Sequence, residues 1–173
     1  MVTELTPWTS APMKNASGGT PATVALANAG IPFTVQTYRH DPASANYGID
    51  AAQALGLDPS RVLKTLMISV DGTLVVAIVP VDGRLDLKAV ATAAKGKKAT
   101  MADSAAAERA SGYLVGAISP IGQKRPHATL LDDSAMAFGA VYVSGGRRGM
   151  ELEIAPADLL RITDATLASI RRA

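Results

Sequence analysis

The sequence contains no cysteine and few aromatic residues. Without cysteine, the chain forms no disulfide, offers no thiolate to a metal and carries no cysteine nucleophile, a composition compatible with a reducing compartment. Aromatic residues make up only 4% of the 173 residues, so alanine, valine, leucine and isoleucine have to fill most of the interior.

Long apolar runs are also missing. No stretch approaches the ~20 apolar residues that a membrane-spanning helix needs. The first ten residues, MVTELTPWTS, lack the basic start and the apolar stretch of a secretion signal. We therefore expect a cytoplasmic protein with no membrane partner.

Several signatures of enzyme classes are absent as well. The sequence has no G-x-S-x-G nucleophile elbow, no phosphate-binding loop ending in Gly-Lys-Ser/Thr and no H-E-x-x-H zinc motif. Its two histidines, His40 and His127, are interpreted as surface residues, because a metal site needs more ligands at suitable spacing. We predict no metal and no cofactor.

The composition is that of a globular protein. Hydrophobic residues make up 48% of the chain and charged residues 18%, and the length suits one domain with a full core. The net charge of +2 is too small to indicate a protein that coats nucleic acid. Basic residues do cluster, at Lys95/Lys97/Lys98, Lys124/Arg125, Arg147/Arg148 and Arg171/Arg172. Each cluster alone is typical of a solvated surface, whereas several on one face would favour a phosphate backbone as partner.

The pattern along the chain predicts a tail followed by one α+β domain. Residues 1–19 are rich in Pro, Thr, Ser, Gly and Asn and are interpreted as a flexible tail, leaving 20–173 as the domain. Hairpins mix with isolated helices without regular βαβ alternation, which favours a mixed, largely antiparallel and barrel-like sheet with surrounding helices. Strands are predicted in 31–40, 60–70, 73–81, 128–132, 140–144 and 150–155, and helices in 20–30, 46–56, 86–96, 103–112, 156–163 and 164–173.

One stretch does not read as an ordinary strand. Residues 112–125, GYLVGAISPIGQKR, begin with apolar residues but include Gly112, Gly116 and Pro120. A buried strand rarely contains two such glycines and a proline. The stretch is either a strand that runs into a turn or a loop whose backbone is shaped around a ligand.

Other residues allow two interpretations each. Lys64 and Thr65 stand at the start of an apolar strand, where Lys64 is either a snorkelling edge residue, which spacing alone favours, or a cation placed in a partly buried space. Tyr38 and Tyr47 fit a pocket wall or ordinary core. The SGGRRG sequence around Arg147 is better explained as a hairpin turn than as an anion loop, because it joins two strands and opens no helix.

Two polar positions lie near that turn. Ser144 ends a strand, where it is expected to cap the turn. Glu151 and Glu153 alternate with apolar residues, a pattern typical of a strand with one wet carboxylate face.

Residues 62–91, 101–124 and 141–162 together resemble the bacterial YbaK proteins, which belong to the same superfamily as the editing domain of prolyl-tRNA synthetase. The specific features are the strand lysine followed by threonine, the G-x-x-x-P loop and the YVSGG turn, in this order. The similarity runs from about Thr20 to the C-terminus. It implies an α+β fold with a pocket for the 3′ end of an aminoacyl-tRNA.

The resemblance also implies site residues. The strand lysine, which is tied to activity in this family, corresponds to Lys64, with Thr65 beside it. Its G-x-x-x-P loop, in which backbone N–H groups approach the ester carbonyl, corresponds to Gly116, Ala117, Ile118, Ser119 and Pro120.

Four further positions correspond to pocket residues of the family. Tyr38 and Tyr47 match aromatic positions, the second of which is phenylalanine in relatives. Ser144 matches the serine of the turn, and Glu151 stands where aspartate is more usual, so that its carboxyl reaches one methylene further.

The implied activity is deacylation of Cys-tRNA(Pro) in trans, with prolyl-tRNA synthetase as a transient partner. Cysteine and proline are close in size, and a pocket separates such analogues by only ~1–3 kcal/mol, so a second site is needed. In the implied mechanism the substrate's own thiol attacks its ester, which requires no nucleophile from the protein. The alternatives are a deacylase for alanine or another small amino acid, and a non-catalytic tRNA- or nucleotide-binding module.

Overall fold

The computed structural model describes residues 19–173. The predicted tail at 1–19 therefore lies, apart from Gly19, outside the described residues. The helices are α1 (Pro21–Asn28), α2 (Tyr47–Leu55), α3 (Leu87–Ala93), α4 (Ser104–Ser111) and α5 (Pro156–Ile162), with 3-10 turns at Pro59–Arg61 and Asp133–Ala137. The strands are β1 (Thr34–Thr37), β2 (Leu63–Val70), β3 (Thr73–Pro80), β4 (Arg84–Leu85), β5 (Ala99–Met101), β6 (Ala128–Asp132), β7 (Val141–Ser144), β8 (Met150–Ile154), β9 (Thr166–Ala168) and β10 (Arg171–Arg172).

Local sequence explains where most of these elements begin and end. Thr20 caps α1 by accepting a hydrogen bond from the Thr23 N–H, and Pro21 occupies its first turn. Helices α2 and α4 end at Gly56 and Gly112, both in the left-handed conformation. The hairpin predicted at Asp71-Gly72 joins β2 to β3.

The strands form three open sheets. The largest has the order β5-β2-β3-β6-β9, a second has the order β1-β8-β7, and β10 pairs with β4. Among the ladders that the structure describes, those of β3–β6 and β6–β9 are parallel and the others are antiparallel. The mixed, largely antiparallel α+β class is confirmed, whereas the barrel-like detail is not, because no ladder among residues 19–173 joins the outer strands of a sheet.

The five-stranded sheet is buried on both faces. On one face Met67, Val76 and Ile78 belong to the main core, which also contains the three-stranded sheet, α1 and α5. On the other face Ile68 and Val75 pack with α3 in a second cluster. Burial of both faces explains why β3 is an almost unbroken apolar run.

The C-terminal segment differs from the helix predicted at 164–173. It forms β9 and β10 instead. Ile170 between them is fully buried, its N–H donates to the Asp132 carboxylate at 3.0 Å and its carbonyl accepts from the Asp86 N–H at 2.7 Å. These contacts with distant residues fix an extended backbone that helix propensity does not anticipate.

The helices are short. The longest that the structure describes, α2, has nine residues. Within residues 19–173 no helix has the length and apolar character needed to cross a membrane.

Candidate active site

A cavity of about 350 Å³ opens beside the first half of β2. Strand β5 pairs with β2 only at Ile68–Val70, and the preceding segment Leu63–Met67 lines the cavity instead. The other walls come from the start of α2, the end of β5, the first half of α4, the loop after α4, the end of β7 and the start of β8. The site residues expected from the sequence that line it are Tyr47, Lys64, Thr65, Gly116, Ile118, Ser144 and Glu151.

The stretch at 112–125 is a loop, which answers the ambiguity of its sequence. Gly116 has φ +89°, and a Cβ at this position would lie 2.7 Å from two atoms of the Tyr47 ring. Both facts require glycine: side chains disfavour this φ, and the ring leaves no room for a methyl group. The backbone of the loop therefore lies directly against an aromatic wall of the cavity.

The loop also presents unused donors. Gly116 and Ile118 line the cavity, and within residues 19–173 their backbone N–H groups form no hydrogen bond. Main-chain N–H groups fixed in this way are the usual donors to a developing oxyanion.

The remaining loop residues support the loop from behind. Ala117, Ser119 and Pro120 are buried and do not line the cavity. The Ser144 hydroxyl donates to the Ala117 carbonyl at 3.0 Å and accepts from the Gly146 N–H at 3.2 Å. This serine therefore ties the turn between β7 and β8 to the loop, which goes beyond the turn-capping role expected from its sequence position.

Lys64 is the cation of the site. Among the described residues that line the cavity, it alone carries a positive charge. Its Nζ donates to the Gly83 carbonyl at 3.0 Å, so the ammonium is directed inside the fold rather than snorkelling into solvent. Burial lowers the pKa of Lys64, an effect that the nearby Asp82 opposes.

A second interaction holds the turn to which Lys64 is bonded. Asp82 forms an ion pair with Arg171 at 3.2 Å, and the side chain of Arg171 packs so closely on Gly83 that a Cβ there would lie 2.4 Å from its Nε. Sequence reasoning did not identify Gly83 or Asp82. The Asp-Gly pair at 82–83 was the available signal, but only the fold shows that its carbonyl meets Lys64.

Thr65 and Glu151 bring polar atoms to the cavity without partners. The Thr65 Oγ1 and the Glu151 Oε2 are buried and form no hydrogen bond within the described part of the chain. Glu151 is 7% exposed, and burial raises its pKa to about 8. The wet carboxylate face expected at this strand is therefore wrong for Glu151, which is mostly protonated at neutral pH.

Replacing Glu151 with glutamine is expected to remove a pH-dependent loss of stability. The pKa of this carboxyl is near 4.5 in an unfolded chain and about 8 in the folded protein. Between these values the folded state holds a proton that the unfolded state has lost, so the free energy of unfolding falls as pH rises. Thermal melts at pH 5, 7 and 9 should show the Glu151→Gln variant gaining on the order of 10 °C on the wild type as pH increases.

The matched control is Asp133→Asn, which neutralises an exposed carboxyl outside the cavity. Its difference in melting temperature from the wild type should be smaller and less dependent on pH. A Glu151→Gln difference that stays constant across the pH range would contradict the protonated state assigned to Glu151.

The two tyrosines differ in position. The Tyr47 ring lines the cavity, stacks on His40 at 5.2 Å and lies 5.2 Å from the Arg148 guanidinium. Tyr38 does not line the cavity. Burial is the main cause of the raised pKa of the Tyr38 hydroxyl, and its proximity to the Glu151 carboxyl adds to the shift once that carboxyl ionises.

Both histidines are partly buried and contact other side chains, in contrast to the surface positions expected from the sequence. His40 is half-buried, and besides its stack on Tyr47 its Nδ1 is buried without a partner in the described chain. The His127 Nδ1 contacts the Gln123 Oε1 at 2.9 Å. Within residues 19–173 no group of three or more His, Cys, Asp or Glu side chains is arranged to hold a metal ion.

Comparison with known proteins places this geometry in context. Residues 42–162 match the model of the aminoacyl-tRNA editing domain family. EbsC of Enterococcus faecalis, a proposed Cys-tRNA(Pro)/Cys-tRNA(Cys) deacylase, is 39% identical over 120 residues, which cover 69% of this chain and 73% of that protein.

Solved structures share the fold. A proposed trans-editing enzyme for prolyl-tRNA synthetase superposes with a TM-score of 0.76 at 23% identity, covering 88% of this chain and 96% of the other. The hypothetical protein APE2540 gives a TM-score of 0.80 at 22% identity over 88% of this chain and all of its own length (100%).

Proposed function

Because the chain belongs to the aminoacyl-tRNA editing domain family, we propose that it is a trans-editing deacylase that clears cysteine from mischarged tRNA(Pro). The family assignment makes it an enzyme that acts on aminoacyl-tRNA. The choice of cysteine is supported by the name of EbsC, which is similar over most of its length.

One observation carries the proposal: Lys64 and the Gly116 loop line the same cavity. The cavity, about 350 Å³ in volume, falls within the range of small-ligand sites. Lys64 and the two residues with unused main-chain N–H groups, Gly116 and Ile118, line this single space. An ester carbonyl bound there would have donors for its oxygen and a cation for a nearby sulfur.

The nucleophile comes from the substrate. The chain contains no cysteine, and the Ser144 hydroxyl is committed to the Ala117 carbonyl. Burial raises the pKa of Glu151 to about 8, so a minor fraction of this carboxyl is ionised to act as a base at neutral pH. The cysteine thiol of the aminoacyl group, by contrast, is already tethered to the carbonyl that it attacks, which removes much of the entropic cost.

The reaction balances without a cofactor. The thiolate sulfur attacks the ester carbonyl carbon and forms a C–S bond, while the bond from that carbon to the ribose oxygen breaks. The proton that left the thiol restores the ribose hydroxyl. The products are deacylated tRNA and a cyclic thioester of cysteine, which water opens.

Each residue has an assigned role in this scheme. Lys64 stabilises the thiolate form of the substrate cysteine. The thiol has a pKa of ~8.5 and is only slightly ionised at neutral pH without such help. Alternatively, Lys64 holds the 2′-hydroxyl region or the terminal phosphate of the tRNA. The N–H groups of Gly116 and Ile118 receive the oxyanion, and Thr65 and Glu151 bind the amino group of the substrate.

The remaining candidate residues support the residues that contact the substrate. Tyr47 walls the cavity and Tyr38 supports Glu151. Ser144 and the segment Ala117–Pro120 hold the loop. We place all of them in one domain over residues 20–173.

We further propose that the enzyme works in the cytoplasm, where aminoacyl-tRNA is made. The chemistry at the ester does not depend on which tRNA carries it. A transient complex with prolyl-tRNA synthetase would supply that selection.

The test is a panel of labelled substrates: Cys-tRNA(Pro), Ala-tRNA(Pro) and Ser-tRNA(Cys). We expect rapid loss of the cysteine label, with the serine ester decaying at the rate seen without enzyme, because a hydroxyl is not appreciably ionised at neutral pH. The cysteine rate should rise with pH as the thiol ionises. Loss of the alanine label alone would replace the cysteine assignment with a deacylase for alanine, and loss of none would favour a binding module.

A further inference from the structure

A second cavity, of about 500 Å³, lies on the other side of the Gly116 loop. Its walls come from three segments: the start of α1, the beginning of the loop and the turn between β7 and β8. The residues are Gly19, Thr20, Pro21, Gly112, Tyr113, Leu114, Ala117, Gly146, Arg147 and Arg148. We call this the basic groove.

The basic groove and the active-site cavity share a wall. Leu114 and Ala117 line the groove, whereas Val115 and Gly116 line the cavity. Arg148 spans the two, since its guanidinium donates to the Val115 carbonyl at 2.8 Å and lies over the Tyr47 ring. A chain leaving the cavity over this rim would enter the groove.

The groove carries two positive charges without acidic partners, and a third lies next to it. Arg147 and Arg148 line the groove and are exposed. Lys124 does not line it but is also exposed, and its Cβ lies beside Gly112 at the groove wall. The ion pairs among the described residues are Arg161–Asp158 and Arg171–Asp82, so none of these three cations is paired. The Glu108 carboxylate contacts the loop instead, where it accepts from the Val115 N–H at 3.3 Å.

The helix N-terminus at the groove is not the source of anion binding. The N-terminus of α1 is already capped by Thr20, which accepts from Thr23. Among residues 19–173, the Arg147 guanidinium forms no ion pair and contacts the Met150 sulfur at 3.8 Å. Its donors are therefore available to a ligand, and a guanidinium is well suited to phosphate oxygens.

We propose that the basic groove binds the phosphates of the nucleotides that precede the aminoacylated adenosine. This proposal rests on the proposed function, because it takes the adenosine to be seated in the active-site cavity. The 3′ end of a tRNA is a single strand with one phosphate per nucleotide, and it has to leave the cavity across the rim that Arg148 forms. Arg147 and Lys124 then receive the phosphates, with Arg148 at the junction.

The experiment compares two substrates that share the cysteinyl ester of the terminal adenosine: Cys-tRNA(Pro), which carries the preceding nucleotides and their phosphates, and the cysteinyl ester of adenosine, which lacks them. We expect Arg147→Ala to lower kcat/KM for the tRNA about 10-fold more than for the adenosine ester. Most of the change should be in KM. Removing one phosphate contact should also reduce the slope of log(kcat/KM) against log[salt] by about 0.7 for the tRNA.

Two further variants make the test specific. Lys124→Ala should act in the same direction and add to Arg147→Ala. Arg161→Ala removes an equal charge from an exposed side chain that lines neither cavity and is already paired with Asp158, so its ratio of the two rates should match that of the wild type. Arg148 is left out of this comparison because it also holds the loop.

The outcomes separate this proposal from the proposed function. A wild-type enzyme that cleaves neither substrate would overturn the proposed function itself. A wild-type enzyme that cleaves both, with Arg147→Ala affecting the two equally, would overturn the groove alone. The groove proposal would also be overturned if Arg161→Ala lowered the rate for the tRNA as Arg147→Ala does. The effect would then come from the overall charge of the protein and not from the groove.

Discussion

The Lys64→Ala variant is expected to lose at least about 100-fold in kcat/KM for Cys-tRNA(Pro) while keeping its fold. Lys64 supplies the single positive charge among the described residues lining the cavity, and its ammonium is held by the Gly83 carbonyl at 3.0 Å. A preorganised charge in a partly desolvated site contributes on the order of 10²–10³ in rate. Single-turnover deacylation of labelled substrate measures the loss.

The fold should survive this change. Burial lowers the pKa of Lys64, which means that its charged form disfavours the folded state at neutral pH. Removing the charge therefore relieves a penalty. The Lys64→Met variant keeps the apolar stem but leaves the Gly83 carbonyl without its donor, and these two effects oppose each other. We expect it to stay close to the wild type in melting temperature, yet be as inactive as Lys64→Ala.

Conservation of charge alone should not restore the rate. Lys64→Arg carries a larger planar group that cannot place one donor on the Gly83 carbonyl in the same way, so we expect it to remain well below the wild type. An alanine variant within threefold of the wild-type rate would remove Lys64 from the mechanism. If Lys64→Ala is impaired on Cys-tRNA(Pro) but not on the cysteinyl ester of adenosine, Lys64 binds the tRNA phosphate and does not assist the thiol.

Gly116→Ala is expected to cost both stability and activity. The added Cβ would lie 2.7–2.8 Å from atoms of the Tyr47 ring, at a backbone φ of +89°. The ring cannot easily move aside, because His40 and Arg148 lie against it. We expect a loss of about 1–3 kcal/mol in the free energy of unfolding, and about 100-fold in kcat as the loop donors shift by about 1 Å.

Two other glycines separate the causes of this effect. Gly30 has φ +66°, and a Cβ added there would have no atom within 4 Å, whereas Gly139 has open space and no left-handed backbone. Gly30→Ala therefore measures the backbone strain alone, and Gly139→Ala measures neither strain nor contact. Urea unfolding of the three variants should rank Gly116→Ala as the least stable.

A double variant isolates the contact with the ring. Adding Tyr47→Leu to Gly116→Ala removes the atoms that the methyl group meets, so part of the lost stability should return. The strain of the left-handed backbone remains. If Gly116→Ala unfolds no more easily than Gly30→Ala and keeps the wild-type deacylation rate, the close approach of the loop to the Tyr47 ring matters neither for stability nor for activity.

Local patterns in the amino-acid sequence were enough to predict the α+β class, most of the element boundaries and the strand that carries Lys64. These patterns are the alternation along β2, the Asp71-Gly72 turn, and the caps Thr20 and Gly56. Such signals act within a few residues of the chain, so they are legible before folding. The resemblance to a known family then indicated the candidate site residues, and seven of the eleven residues named in this way line one cavity.

The surroundings of those positions depend on packing between distant parts of the chain. The burial of Glu151, the bond from Lys64 to Gly83 and the extended C-terminal segment at Ile170 all involve partners far away in sequence. A strand pattern that alternates charge with apolar residues cannot reveal whether a second layer covers its polar face. Desolvation, and with it the pKa of Glu151, depends on that packing, because the free energy of a charge is set by everything within several ångströms of it.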